Sequence, residues 1–202
     1  MPSQNGDIVF GIFKKKSNVQ PPTETANNVF YTGAGMLCLW DYSTYQHIED
    51  YDGWEKEFVE DVDIVRNIKN ATFVPINIQS DGAFCADVKL HDEATLSQRE
   101  KKYLTVSSQP YLLKSKGEIA LSGIETIGKT PTENIKVIDL DAGDYLVQIH
   151  LIAWDEEPGS KGADGKPTHS ALPDFIVCIT PDVGTIQSYR TELETFRRED
   201  VL

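Results

Sequence analysis

Apolar and polar residues alternate with a period of two along much of the chain. Thr72-Phe-Val-Pro-Ile-Asn-Ile-Gln79 alternates after its proline, and Phe84-Cys-Ala-Asp-Val-Lys-Leu90 follows the turn residues Ser80-Asp-Gly82. Side chains two apart share one face of an extended chain, so each run predicts a β-strand. Asp-Gly between two such runs predicts a hairpin, because glycine reaches positive φ at no steric cost. Pro75 has no amide for a ladder, which places its strand at an edge or on a bulge. Tyr111–Lys114 and Glu118–Ile124 form a second pair around a Ser-Lys-Gly turn. The clearest hairpin joins Ile135–Leu140 to Tyr145–Trp154 through Asp141-Ala-Gly143. Its second arm becomes apolar on both faces, as a central strand does, and Asp174–Thr180 reads as another buried strand.

Helical period is rarer. Glu93–Lys102 predicts two or three turns with Asp92 as N-cap, and Tyr189–Asp200 is amphipathic through Leu193 and Phe196. Gln20–Glu24, Lys129–Glu133 and Pro158–Pro167 are loops rich in Pro, Gly and polar residues. About ten short strands predict a mainly-β fold, an antiparallel β-sandwich or open barrel with one or two short helices. No linker-like stretch divides the chain, so residues 1–202 are expected to form a single domain.

Composition narrows the partners. Over 202 residues, 32 acids oppose 19 Lys and Arg, a formal net charge of −13. A chain so acidic is repelled by phosphate, which argues against direct binding to nucleic acid or an anionic membrane. Cys38, Cys85 and Cys178 each stand alone in an apolar run and predict reduced, buried thiols. The early run Ile8-Val-Phe-Gly-Ile-Phe13 is short, and its basic cluster Lys14–Lys16 follows it, the reverse of a signal peptide. No stretch reaches the roughly 20 apolar residues of a membrane span. The expected location is cytoplasmic.

The strongest anomaly is Glu49-Asp-Tyr-Asp-Gly-Trp-Glu-Lys-Glu-Phe-Val-Glu-Asp-Val-Asp63. Eight acids (Glu49, Asp50, Asp52, Glu55, Glu57, Glu60, Asp61, Asp63) face one base, Lys56, and Tyr51, Trp54 and Phe58 are interleaved. Such charge speeds encounter with a basic partner, and exposed aromatics supply anchors. The plainer alternative is a solvated loop or short helix whose aromatics turn inward. The spacing of Asp50, Asp52 and Glu55 does not match an EF-hand, and Asp139–Asp144 reads as turn chemistry, so no metal or cofactor is expected.

Catalytic motifs do not assemble. His47, His91, His150 and His169 lack metalloprotease spacing, and no nucleophile-elbow, Walker or Rossmann glycine pattern occurs. His47 beside the acidic segment and Asp155-Glu-Glu157 at the end of the central strand leave one alternative, an enzyme or small-ligand site at the sheet rim.

Pro110-Tyr-Leu-Leu, Gly117-Glu-Ile-Ala-Leu-Ser-Gly, Ile138-Asp-Leu-Asp-Ala-Gly-Asp-Tyr-Leu-Val147 and the strand ending at Trp154 carry a family signal. Over roughly residues 100 to 180 they resemble the competence protein J family, small bacterial inhibitors of a DNA-uptake nuclease. They also resemble β-sandwich domains of bacterial toxin-immunity proteins. The resemblance implies a bacterial inhibitor or immunity protein and transfers no functional residue. Residue pattern and resemblance together predict a non-enzymatic binding protein. It would neutralise a basic protein such as a nuclease toxin through Glu49, Asp50, Tyr51, Asp52, Trp54, Glu55, Glu57, Glu60, Asp61 and Asp63.

Overall fold

The longest ladder of the fold pairs two strands that the sequence presents as four. In the computed structural model, which describes residues 28–129 and 134–197, β6 (Tyr111–Gly123) and β7 (Lys136–Ile152) run antiparallel from Tyr111↔Val147 to Leu121↔Lys136. The expected Ser-Lys-Gly turn and the expected Asp141–Gly143 reversal are the two sides of one β-bulge. The register shifts between Ser115 and Gly117, opposite Gly143 and Leu140. An extra residue on one strand bends a ladder without ending it, and Gly117 at φ +130° supplies the unusual backbone. Hydrogen bonds close the bulge. Ser115 Oγ donates to the Leu140 carbonyl at 2.7 Å, and the Tyr145 hydroxyl donates to the Asp141 carbonyl at 3.0 Å.

The other strands are β1 (Val29–Thr32), β2 (Met36–Asp41), β3 (Phe73–Asn77), β4 (Gly82–Leu90), β5 (Leu104–Ser107) and β8 (Phe175–Pro181). The sheet order is β1-β4-β8-β7-β6-β2-β3, and β5 continues the β6 side of β7. The sheet is mixed and unclosed, because β4 and β8 are parallel while every other pair is antiparallel. The expected β3–β4 hairpin does not form. β3 pairs with β2 at one edge, and β4 lies between β1 and β8 at the other. Here Gln79 at φ 57° turns the chain, and the Ile78 and Gln79 amides both donate to the Gly35 carbonyl. Pro75 does lie in an edge strand, the arm from Tyr145 expected to be central is the inner half of β7, and the expected buried strand is β8 beside it.

Both faces of the central strands are covered. Phe175, Val177 and Ile179 of β8 join the main core with Trp40, Phe73, Ile119 and Leu121. The alternate residues Ile176 and Cys178 join a smaller core with Tyr103, Ile152, Trp154 and Leu172. That accounts for β8's continuous apolar reading.

Three α-helices occur among the described residues: α1 (Tyr51–Phe58), α2 (Asp61–Lys69) and α3 (Gln98–Lys102). The helix expected from Glu93 starts late because Ser97, not Asp92, is its N-cap. Ser97 and Glu100 form a reciprocal capping box, and residues 91–93 make only a 3-10 turn. The expected C-terminal helix is absent over its described part, Tyr189 to Arg197. The segment bonds to Pro110 and Tyr111 and then meets the end of β3 instead. The Phe196 amide donates to the Asn77 carbonyl at 2.8 Å, and Phe196 is buried edge-on against Phe175. A single bridge, Asn77↔Thr195, joins this strap to the end of β3, and Asn77 Nδ2–H donates to Thr195 Oγ1 at 3.1 Å. Expectations for Ile8–Phe13, Lys14–Lys16, Gln20–Glu24, residues 130–133 and residues 198–200 lie outside the described residues. No helix among those described is long and apolar enough to cross a membrane.

Candidate partner-binding face

The acidic segment folds into the α1–α2 pair within the connection from β2 to β3. Asp41, fully buried at the end of β2, starts this excursion. Its Oδ1 accepts the Thr44 amide and the Ser43 and Thr44 hydroxyls at 2.7–2.8 Å. Asp50 caps α1 by accepting the Gly53 amide at 2.9 Å. On α1 the four-residue spacing of Trp54 and Phe58 turns both rings inward. Phe58 packs against Tyr45 and Phe73, and Trp54 Nε1–H donates to the Ile124 carbonyl at 2.7 Å. On α2, Ile64, Asn67 and Ile68 are buried. Phe58 is buried in the core, as the plainer reading has it, while Trp54 is half-buried, packing on the core with one part and lining a surface cleft with another. Tyr51 is different. It is 66% exposed and stacks on Trp54 with ring centroids 5.7 Å apart.

The ten sequence-predicted residues divide by their partners. Arg66 of α2 holds Glu57 of α1 at 3.0 Å and also pairs with Asp63 on its own helix. Hydrogen bonding to Glu57 raises the Arg66 guanidinium further above its already high range. Glu57 also lies 3.8 Å from His47 Nε2, and its backbone carbonyl accepts Asn67 Nδ2–H. Lys129 reaches Glu49 at 2.6 Å. Asp50 is occupied as the cap. Asp52, Glu55, Glu60 and Asp61 are exposed and have no ion pair among the described residues. Beside them Val59 and Val62 stand 46% and 71% exposed, two apolar contacts the charge pattern did not single out. Position 55 follows Tyr51 by one helical turn and 59 follows by two, so Tyr51, Glu55 and Val59 share an outward stripe.

A cleft of about 400 Å³ opens beside the start of α1. Glu49, Asp50, Tyr51 and Trp54 form one wall, and Glu125, Ile127 and Lys129 from the segment after β6 form the other. Glu125 is fixed by the Gly33 amide at 2.7 Å and the Thr32 hydroxyl at 3.1 Å. Nothing in the sequence links Glu125 or Lys129 to residue 50. The Trp54–Ile124 hydrogen bond brings them together.

Other polar groups sit elsewhere. Asp155 lies 3.5 Å from Lys161 after β7, whereas His47 lies against α1, so the two rim candidates occupy different surroundings. His150 is buried on β7 with Nδ1 2.8 Å from the Ser107 hydroxyl, and burial, helped by Lys89, lowers its imidazole below the ordinary range. No group of three or more His, Cys, Asp or Glu placed to hold a metal occurs among the described residues. All three cysteines are free thiols. Burial pushes Cys38 well up and Cys85 to about 12, so these thiols stay protonated at neutral pH.

Fold and surface together define a mainly-β, open-sheet protein that carries an acidic helix pair on one strand connection. No protein-family model matches the chain, and no curated protein matches it in sequence. Solved structures similar to it include "Crocagin biosynthetic gene J", 18% identical, covering 76% of this chain and 94% of that one at a TM-score of 0.51. They also include ComJ from Bacillus subtilis, an inhibitor of the DNA degrading activity of NucA. ComJ is 11% identical and covers 76% of this chain and 93% of its own at a TM-score of 0.42. The first is a likeness of fold.

Proposed function

We propose that this chain neutralises a basic protein partner, as an immunity protein or inhibitor of a bacterial toxin such as a nuclease. The observation that carries the reading is the set Asp52, Glu55, Glu60 and Asp61. These carboxylates lack internal ion pairs among the described residues and are interspersed along α1 and α2 with the exposed Tyr51, Val59 and Val62. Unpaired charge interleaved with exposed apolar and aromatic side chains is the composition that steers a partner and then holds it. Unpaired carboxylates steer basic surfaces, accelerating encounter by roughly 10- to 1000-fold at low salt. Glu49, Asp50, Glu57 and Asp63 contribute field while their local partners hold them in place. Inhibition is by occlusion. Lys and Arg side chains that would grip substrate phosphate are covered by the helix pair, so no chemistry by this chain is required.

The test titrates the protein into a DNA-degradation assay with each basic nuclease of the host. Wild type is expected to abolish cleavage by one of them at near-equimolar ratio. The variant with Asp52, Glu55, Glu60 and Asp61 all changed to Lys is expected to associate much more slowly at low salt. Unchanged association by that variant, or undiminished cleavage by every nuclease, overturns the reading.

A further inference from the structure

The cleft beside α1 has the chemistry of a receptor for one planar cation. Three carboxylates, Glu49, Asp50 and Glu125, line it against a single ammonium, Lys129. Its wall is an aromatic stack, Tyr51 on Trp54, with an interplanar angle of 25°. Trp54 is held by its bond to the Ile124 carbonyl, so that wall is built before any ligand arrives. Lys129 already places a cation at the rim. Its ammonium sits 2.6 Å from Glu49, with both side chains more than half exposed, so the pair exchanges readily. A negative cleft with an aromatic wall and a displaceable internal cation fits a guanidinium better than an ammonium. The guanidinium is flat, is more weakly hydrated, stacks on rings and presents paired donors to carboxylates.

We infer that this cleft captures an arginine side chain of the basic partner, which stacks on Tyr51 and replaces Lys129 at Glu49. The inference rests on the partner-neutralising reading for the source of the arginine, but the chemistry of capture can be measured without the partner.

The experiment titrates the full chain with N-acetyl-arginine amide, the lysine analogue and the neutral isostere citrulline, following the Trp54 indole N–H by NMR. Arginine is expected to shift that signal saturably, lysine more weakly and citrulline not at all. Tyr51→Ala, at an exposed position, is expected to weaken arginine binding by about two- to fivefold. Lys129→Gln is expected to tighten it, because the internal competitor is gone. Equal shifts from arginine and citrulline, or weaker binding by Lys129→Gln, overturn the inference. So does an arginine effect confined to α2. Those failures leave the nuclease titration with the α1–α2 charge variant intact. Conversely, a failed nuclease titration beside a saturable arginine response removes the inhibitor reading and keeps the cleft.

Discussion

The buried carboxylate of Asp41 and the backbone amide of Lys116 lie 3.0 Å apart, tying the end of β2 to the bulge of β6. The other oxygen of Asp41 organises Ser43 and Thr44, where the chain departs toward α1. One side chain thus fixes both the bend in the longest ladder and the start of the acidic excursion. Asp41→Ala leaves several donors without acceptors and is expected to cost about 3 kcal/mol of stability. Chemical denaturation midpoints check this, and Asp41→Asn, which restores only part of the acceptor set, falls between.

Arg66 damps the charge of the helix pair. It engages Glu57 and Asp63 from a half-exposed position, so its pairs contribute little to stability. Arg66→Ala is expected to lower stability by less than about 1 kcal/mol and to speed association with a basic partner at low salt. Stopped-flow association at two ionic strengths separates this from a packing effect, since only an electrostatic gain fades with salt.

His150 sets a pH dependence. Its imidazole is harder to protonate folded than unfolded, because burial and nearby Lys89 disfavour the charge while Glu100 only partly compensates. As pH falls below the ordinary 6.5, the unfolded chain takes up the proton first and stability declines until the folded value is passed. Glu100 acts in a lower window. Burial would raise its carboxyl, but hydrogen bonds from Lys89 and Ser97 outweigh that and hold it low. Its contribution is therefore lost only as pH drops through the carboxylate range and below. Thermal unfolding of wild type and His150→Gln from pH 7.5 to 5.5 is expected to show a shallower slope in the variant.

The strap that meets the end of β3 buries one aromatic ring, Phe196, which is 2% exposed. Phe196→Ala is expected to cost about 3 kcal/mol and to speed hydrogen exchange of the Phe196 amide and its neighbours. A destabilisation without faster exchange there would place the loss in the core alone.

Strand content was legible because alternation survives locally. The apolar runs at Phe73–Asn77, Gly82–Leu90 and Phe175–Pro181 are strands, and Pro75 sits at an edge for the reason its missing amide gives. Connectivity was not legible. Ser115-Lys-Gly117 and Asp141-Ala-Gly143 use the residues of reversals, and only the pairing of one with the other makes them a bulge. The segment Tyr189–Arg197 has helical spacing, yet its bonds to Pro110, Tyr111 and Asn77 and the packing of Phe196 on Phe175 hold it out of a helix, tertiary contacts that no local window contains. The acidic segment was found by charge alone. Its division into paired and unpaired carboxylates depends on Arg66 and Lys129, and Lys129 is distant in the chain.

β2 and β3 are antiparallel neighbours in direct register from Met36↔Asn77 to Trp40↔Phe73, a junction that a two-residue turn could close. Residues 42–72 are an excursion from this junction, and the core takes from them an inward set that includes Tyr45, Ile48, Phe58, Ile64 and Ile68. Outward positions on this excursion can change sign, size or hydrophobicity without disturbing strand order. On the proposed function, target choice is confined to one insertion, and rewriting its outward face leaves the machinery of folding as it was.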